Sequence, residues 1–173
     1  GKSNIAGYLA NRPDVTSQYL PEPIENYCFL LLDLNGLPVI TTANFYRSLL
    51  YAIEEATATD LDLSQRMRAI LARVDNQEDI LALYLALQRA HQLLIYQAGK
   101  QVIWLLDRFD VGCVRLEAAT LNSLRNLRDQ FKDHLSYVAF TRCPLVRLRN
   151  PAEFDEFNEL MVMHTCWVGA MNA

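Results

Sequence analysis

No apolar run in the chain approaches the roughly 20 residues that a membrane-spanning helix requires. The first residues do not have the pattern of a secretory leader either, and together these absences predict a cytoplasmic protein. Cysteine is sparse, limited to Cys28, Cys113, Cys143 and Cys166, and no two stand at metal-ligand spacing. The three histidines, His91, His134 and His164, form no close cluster. Both patterns predict reduced thiols, mostly buried, and argue against a metal held by protein side chains alone. Positive charge is not in excess. Sixteen Lys and Arg face twenty Asp and Glu, for a net charge of −4, which argues against a nucleic-acid footprint spread over the whole surface. An initiator Met is also lacking. The chain opens on Gly1-Lys2-Ser3, in the middle of a motif, and reads as a piece of a longer protein with residues missing before Gly1.

What is present suits one globular domain over 1–173, 51% hydrophobic and 21% charged, large enough to bury one substantial core. Residues 102–106 (Val-Ile-Trp-Leu-Leu) form an unbroken apolar run, too short for a helix, between Gly99-Lys100 and the acids Asp107 and Asp110. Such a run predicts a strand buried on both faces in a parallel sheet covered by helices. Residues 27–34 predict a second buried strand, stopped by Asn35-Gly36-Leu37-Pro38. Further strands are expected at 136–140 and 163–168. Helices are expected at 3–11 (with Ile5, Tyr8 and Leu9 on one face), after a cap at Thr41 or Thr42, after Asp62 or Ser64, and from a cap at Asn76 to Gly99. A loop through Gly112 should lead to a helix over 116–132, and Asn150-Pro151 should open a short one carrying Phe154, Phe157 and Leu160. The stretch 15–26, with Pro21 and Pro23, reads as loop or edge. Alternating strands and helices imply an α/β fold, a mainly parallel sheet between two helix layers.

Three clusters carry chemistry. Gly1-Lys2-Ser3 opening a helix can face a phosphate with backbone N–H groups, with Lys2 reaching phosphate oxygens and the Ser3 hydroxyl ligating Mg2+. Asp107, at the carboxyl end of a buried strand, stands where open α/β sheets bind ligands and can hold Mg2+ opposite Ser3. Asp33 also ends a strand and competes for that role, but the strand ending in Asp107 is the more uniformly apolar and comes later in the chain, as the motif order requires. Asp107 could instead cap the turn after its strand. Thr141 and Arg142 follow another strand and can read a terminal phosphate, unless Arg142 merely forms a surface ion pair.

Gly1-Lys2-Ser3, the strand ending Leu105-Leu106-Asp107, and Phe140-Thr141-Arg142 resemble the Walker A tail, Walker B and sensor 1 of P-loop ATPases. The similarity is to the AAA-like ATPase domains of the STAND signalling class, relatives of the archaeal and origin-recognition AAA proteins. The run 27–34 with 45–53 resembles their second strand and following helix, and 154–169 their last core strand. The resemblance implies a three-layer P-loop core lacking its first strand, which is central in the family's sheet. It implies Mg2+ with ATP or ADP as ligands, a nucleotide-dependent conformational switch, and protein partners or self-association through parts outside this chain. Gly1, Lys2, Ser3, Thr141 and Arg142 would bind nucleotide, Ser3 and Asp107 the metal. Where the family has an acid after the Walker B aspartate, this chain has Arg108, which cannot serve as a base. Asp110 is the substitute at hand, so Asp107 and Asp110 are the catalytic candidates and hydrolysis is expected to be slow.

Two other readings stand beside this one. The scaffold could be a degenerate ATPase used as a nucleotide-independent protein-interaction module. Alternatively Gly-Lys-Ser is accidental in an unrelated α/β enzyme, with its chemistry near His164 or Cys143. Arg125, Arg128 and Lys132 share a basic helix face that either is solvated or touches nucleic acid.

Overall fold

The computed structural model describes residues 2–75, 77–153, 155–162 and 164–168. Its centre is the apolar run near the middle of the chain, which forms strand β2 (Gln101–Asp107) between β1 (Tyr27–Asp33) and β3 (Leu135–Ala139). Both pairings are parallel. Leu30 lies beside Trp104 and Asp33 beside Asp107 on one side, and Trp104 beside Tyr137 on the other. Parallel neighbours require a crossover, and here each crossover is helical. The first consists of α3 (Thr42–Thr57), α4 (Leu61–Leu71) and α5 (Ile80–Gln92), the second of α6 (Phe109–Arg115) and α7 (Ala118–Gln130). Helix α1 (Lys2–Asn11) and the single turn α2 (Pro13–Thr16) precede β1, and α8 (Asp155–Val162) follows β3. The fold is α/β with a parallel sheet, as the alternating pattern predicts.

Side chains alternate across a strand, so the register sorts the sheet into two faces. Leu30, Leu32, Val102, Trp104, Leu106 and Leu135 point into the main core, with Leu49, Leu50 and Ile53 of α3, Leu83 and Leu87 of α5, and Leu124 and Leu127 of α7. On the opposite face Leu105 is fully buried, while its neighbours Leu31 and Val138 are 38% and 39% exposed. Helix α1 packs on β1 and β2. Its buried Ala6, like Leu105, stands outside the main core, which marks α1 as the cover of that second face. Only β2 is therefore buried on both sides. The expectation of full burial fails for residues 27–34: among the described residues β1 has one sheet neighbour, and Leu31 on the face that α1 packs against stays 38% exposed. Within α1 it is Ala6 that is buried, while Tyr8 is exposed with the Arg12 guanidinium 5.4 Å from its ring centre.

The largest buried side chain, Trp104, donates its indole N–H to His91 Nε2 at 2.9 Å, and His91 Nδ1 meets the Leu87 carbonyl at 2.8 Å. A buried Trp needs such a partner, and this one ties β2 to α5.

Several boundaries differ from expectation for local reasons. Thr41 caps α3, as one of the two threonines should, through its hydroxyl and the Asn44 amide. The next two helices are capped by acids other than the expected residues, Asp60 just before Asp62 and Asp79 three residues after Asn76, each accepting two backbone amides. Asn76 lies outside the described residues. Residues 93–97 leave α5 as a π turn, and Gly99 takes the left-handed φ of 65° that ends it. The expected loop through Gly112 is helix α6, and the true break falls at Leu116 and Glu117. A side chain at Gly112 would place its Cβ 2.6 Å from Leu34 Cδ2, so here glycine permits α6 to approach the turn after β1. The stretch 15–26 contains the end of α2 and two short 3-10 turns, at Ser17–Tyr19 and Ile24–Asn26. Residues 164–168 form no strand; an apolar run becomes a strand only with a ladder partner, and none pairs with them among the described residues. Met163 and Phe154 lie outside the described residues.

Candidate functional site

The carboxyl ends of β1 and β2 bring Asp33 and Asp107 into register. Asp33 is exposed, and its Oδ1 accepts the Asn35 amide at 2.9 Å, which caps the turn after the strand. Asp107 is 5% exposed, and its Oδ1 accepts the Arg108 amide at 2.9 Å. Of the two acids, Asp107 is the better prepared to hold a ligand, since its carboxylate is largely withdrawn from water.

That contact accompanies an unusual backbone. Arg108 has φ 53° and ψ 36°, the single non-glycine residue at positive φ among those described. For an L-residue this conformation costs roughly 1–2 kcal/mol, and such strain persists where the surroundings enforce it. The surroundings are backbone hydrogen bonds. Phe140 N donates to the Leu106 carbonyl at 2.9 Å, and Phe109 N donates to the Phe140 carbonyl at 3.0 Å. The segments leaving β2 and β3 are thus laced together, with the exposed Arg108 at the bend.

One turn further, Asp110 is buried in the first turn of α6. Its Oδ2 accepts both Nε and Nη2 of Arg142, at 2.6 and 2.5 Å, while Oδ1 is buried and has no hydrogen-bond partner. Arg142 itself is 70% exposed. The structure therefore joins Asp110 to Arg142 across 32 residues of chain. Thr141 beside it is half-buried and engaged in contacts of its own. Arg149, which sequence reading passes over, anchors the end of α6 by donating to the Leu116 carbonyl at 2.6 Å and pairs with Glu153 at 2.7 Å. The spacing of Arg149 and Glu153 by four was the one sequence signal for it.

A groove of about 560 Å³ runs beside β3, lined among others by Phe140, Thr141, Arg142, Leu160, His164 and Trp167. Cys143 and Cys166 also line it, so the residues of the phosphate reading and those of the alternative enzyme reading share one cleft. All four cysteines are free. Burial pushes the Cys113 thiol up to about 12 and the Cys28 thiol up to about 11, so both stay protonated and unreactive at neutral pH. Cys166 is exposed, contrary to the expected buried thiols, because the segment 164–168 is not in the sheet.

Gly1 lies outside the described residues, as do the side chains of Lys2 and Ser3, whose backbones form the start of α1. Among the described residues no three His, Cys, Asp or Glu side chains gather as a metal cage. A lone buried carboxylate such as Asp107 fits a hard cation that keeps its waters and takes its remaining ligands from phosphate, as Mg2+ does. On the basic helix face, Arg125 is drawn into contacts with Asp129 and the Glu156 carbonyl of α8, at 2.8 and 2.6 Å, and Arg128 also reaches Asp129. Charges so engaged are mainly structural. No described helix is long and apolar enough to cross a membrane.

Chemically, the strand ends offer one nearly buried carboxylate, one carboxylate–guanidinium pair with N–H donors to spare, and an exposed arginine at a rigid bend. That set suits an anion with a cation beside it. Compared with protein-family models, characterised proteins and solved structures, the chain matches none.

Proposed function

We propose that the chain is the nucleotide-binding core of an AAA-like P-loop ATPase of the STAND type, which binds Mg-ATP and Mg-ADP and acts as a nucleotide-dependent switch. One observation carries the reading. Asp107 ends β2, and the Asp110–Arg142 pair joins the segments that follow the carboxyl ends of the adjacent parallel strands β2 and β3, the end of the sheet where open α/β folds take their ligands. They follow, in the order the motifs require, a helix that opens at Lys2-Ser3. The finer fold belongs to the same proposal: a three-layer P-loop core without its first strand. Among the described residues, β3 and the 164–168 segment have no further strand partner, which fits a sheet from which a central strand is missing.

In this reading the amides at Gly1 to Ser3 and the Lys2 ammonium neutralise phosphate charge, and Thr141 with Arg142 meets the terminal phosphate. Ser3 and Asp107 would hold Mg2+, which when bound neutralises phosphate oxygens. Asp110 is the acid available to replace the one missing at Arg108, but its Oδ2 is engaged by Arg142 and its Oδ1 is buried, which together with Arg108 accounts for slow hydrolysis in this reading.

Thermal unfolding tests the proposal. Mg-ATP at about a hundred times its Kd should stabilise the protein by about 2.7 kcal/mol, raising Tm by roughly 5–10 °C. Asp107→Asn should remove most of the part of that rise that depends on Mg2+. A Tm indifferent to Mg-ATP and Mg-ADP would overturn it in favour of the nucleotide-independent interaction module. That second reading has its own support in the apolar residues lining the groove, with Trp167 at 74% and Val146 at 49% exposed.

A further inference from the structure

We propose that Asp110 is a positioning residue that aims the Arg142 guanidinium at the terminal phosphate of a nucleoside triphosphate, and thereby sets the preference for triphosphate over diphosphate. The inference rests on the nucleotide reading above. Arg142 stands three residues beyond the end of β3, on a segment of bends followed by a single 3-10 turn at Leu145–Arg147. Nothing regular in that segment would hold a long side chain in one direction. Asp110 does. Its Oδ2 takes Nε and Nη2 together, which fixes the plane of the guanidinium. An arginine has five N–H donors in a fixed fork. Two are spent on Asp110, and three remain on a side chain that is 70% exposed. Those three are the donors that suit a planar contact with phosphate oxygens.

The anchor is built rigidly. Asp110 sits in the first turn of α6; the start of that helix is tied to the end of β3 by Phe109 N and the Phe140 carbonyl, and its end is held by Arg149. Pairing offsets part of the cost of burying the Asp110 carboxylate but does not require the arginine's other donors to face outward. A largely exposed arginine gains little from an ion pair, and the carboxylate is buried with Oδ1 unpartnered, a cost in itself. Orientation is what the pair supplies. Under the nucleotide reading Lys2 and Ser3 serve ATP and ADP alike, so a guanidinium fixed at the end of β3 acts on the one group by which the two ligands differ.

Calorimetric titration of Mg-ATP and Mg-ADP into the protein, Asp110→Asn and Arg142→Lys tests this, with each variant first shown to melt cooperatively. Both variants should bind ATP about tenfold more weakly than the parent while ADP affinity stays within about twofold. Arg142→Lys keeps the charge but loses the fork, so a charge effect without orientation would leave it like the parent and contradict the proposal. An unchanged ATP-to-ADP ratio in Asp110→Asn overturns this inference alone, and so does a raised one, which would mean that Asp110 restrains Arg142 rather than aims it. Failure of the folded parent to bind either nucleotide overturns the inference together with the reading beneath it. Should Asp110→Asn not fold, Asp110→Glu takes its place: it keeps the charge but shifts the carboxylate by one methylene, so it should also lower ATP affinity with ADP affinity unchanged, and an unchanged ATP-to-ADP ratio would overturn the inference.

Discussion

Replacing Trp104 with alanine should lower the unfolding free energy by about 3–5 kcal/mol, the range for truncating a large aromatic in a packed core. Trp104 is 1% exposed, at the centre of the middle strand, flanked in register by Leu30 and Tyr137. The loss has two parts. A cavity opens between the sheet and α5, and His91 Nε2 loses the indole N–H that satisfies it in a fully buried position. Trp104→Phe separates them, since it keeps most of the volume and should cost only about 1–3 kcal/mol for the orphaned ring nitrogen. Total stability for a domain of this kind is about 5–15 kcal/mol, so the alanine variant should lose a large fraction of it and melt at a clearly lower temperature. Urea unfolding of the three proteins measures this. A loss below about 1 kcal/mol for Trp104→Ala would show that the core does not depend on this residue.

Acid should weaken the fold through His91. Burial pushes its pKa down to about 4 from the ordinary 6.5, with the Leu87 carbonyl opposing the shift. The ring also stacks on Phe131 at 5.8 Å and on its other side takes the Trp104 N–H, so its surroundings suit the neutral form. Above pH 6.5 folded and unfolded chains both hold His91 neutral, and its contribution is fully present. As pH falls from 6.5 towards about 4, the unfolded chain takes up a proton that the folded chain refuses. The protein should therefore lose about 2–3 kcal/mol between pH 7 and pH 4.5 from this group. His91→Gln can still accept from Trp104 but cannot titrate, so the difference between its stability profile and the parent's isolates the effect from the carboxylates. Parallel profiles would contradict the assignment.

How much of this was legible in the sequence depends on how local each feature is. The middle strand could be read because its apolar run is short, unbroken and bounded by Gly99 and acids. Its neighbours were legible for the same reason, and the crossovers followed from helical periodicity. The caps at Asp60 and Asp79 were misplaced because several polar residues there can cap and only backbone geometry chooses. Helix α6 was hidden by Gly112, which reads as a loop residue but serves as a close-packing one against Leu34. The segment 164–168 has strand-like residues, yet sheet formation needs a partner that local sequence does not specify.

The candidate site divides in the same way. Asp107 and Thr141-Arg142 announced themselves as polar residues at strand ends. The pairing of Arg142 with Asp110 did not, because it joins residues 32 apart through the register of two strands. The left-handed backbone at Arg108 was equally hidden, since nothing about an arginine suggests positive φ.

The central claim, that this fold carries a phosphate-binding nucleotide site, is tested most directly by calorimetric titration of Mg-ATP and Mg-ADP into the protein and into Lys2→Ala. Saturable binding to the parent is expected, weakened by roughly ten- to a hundredfold in a variant that has lost charge-assisted hydrogen bonds to phosphate worth about 1.5–3 kcal/mol. A folded parent that takes up neither nucleotide, or a Lys2→Ala variant that binds as the parent does, would contradict it.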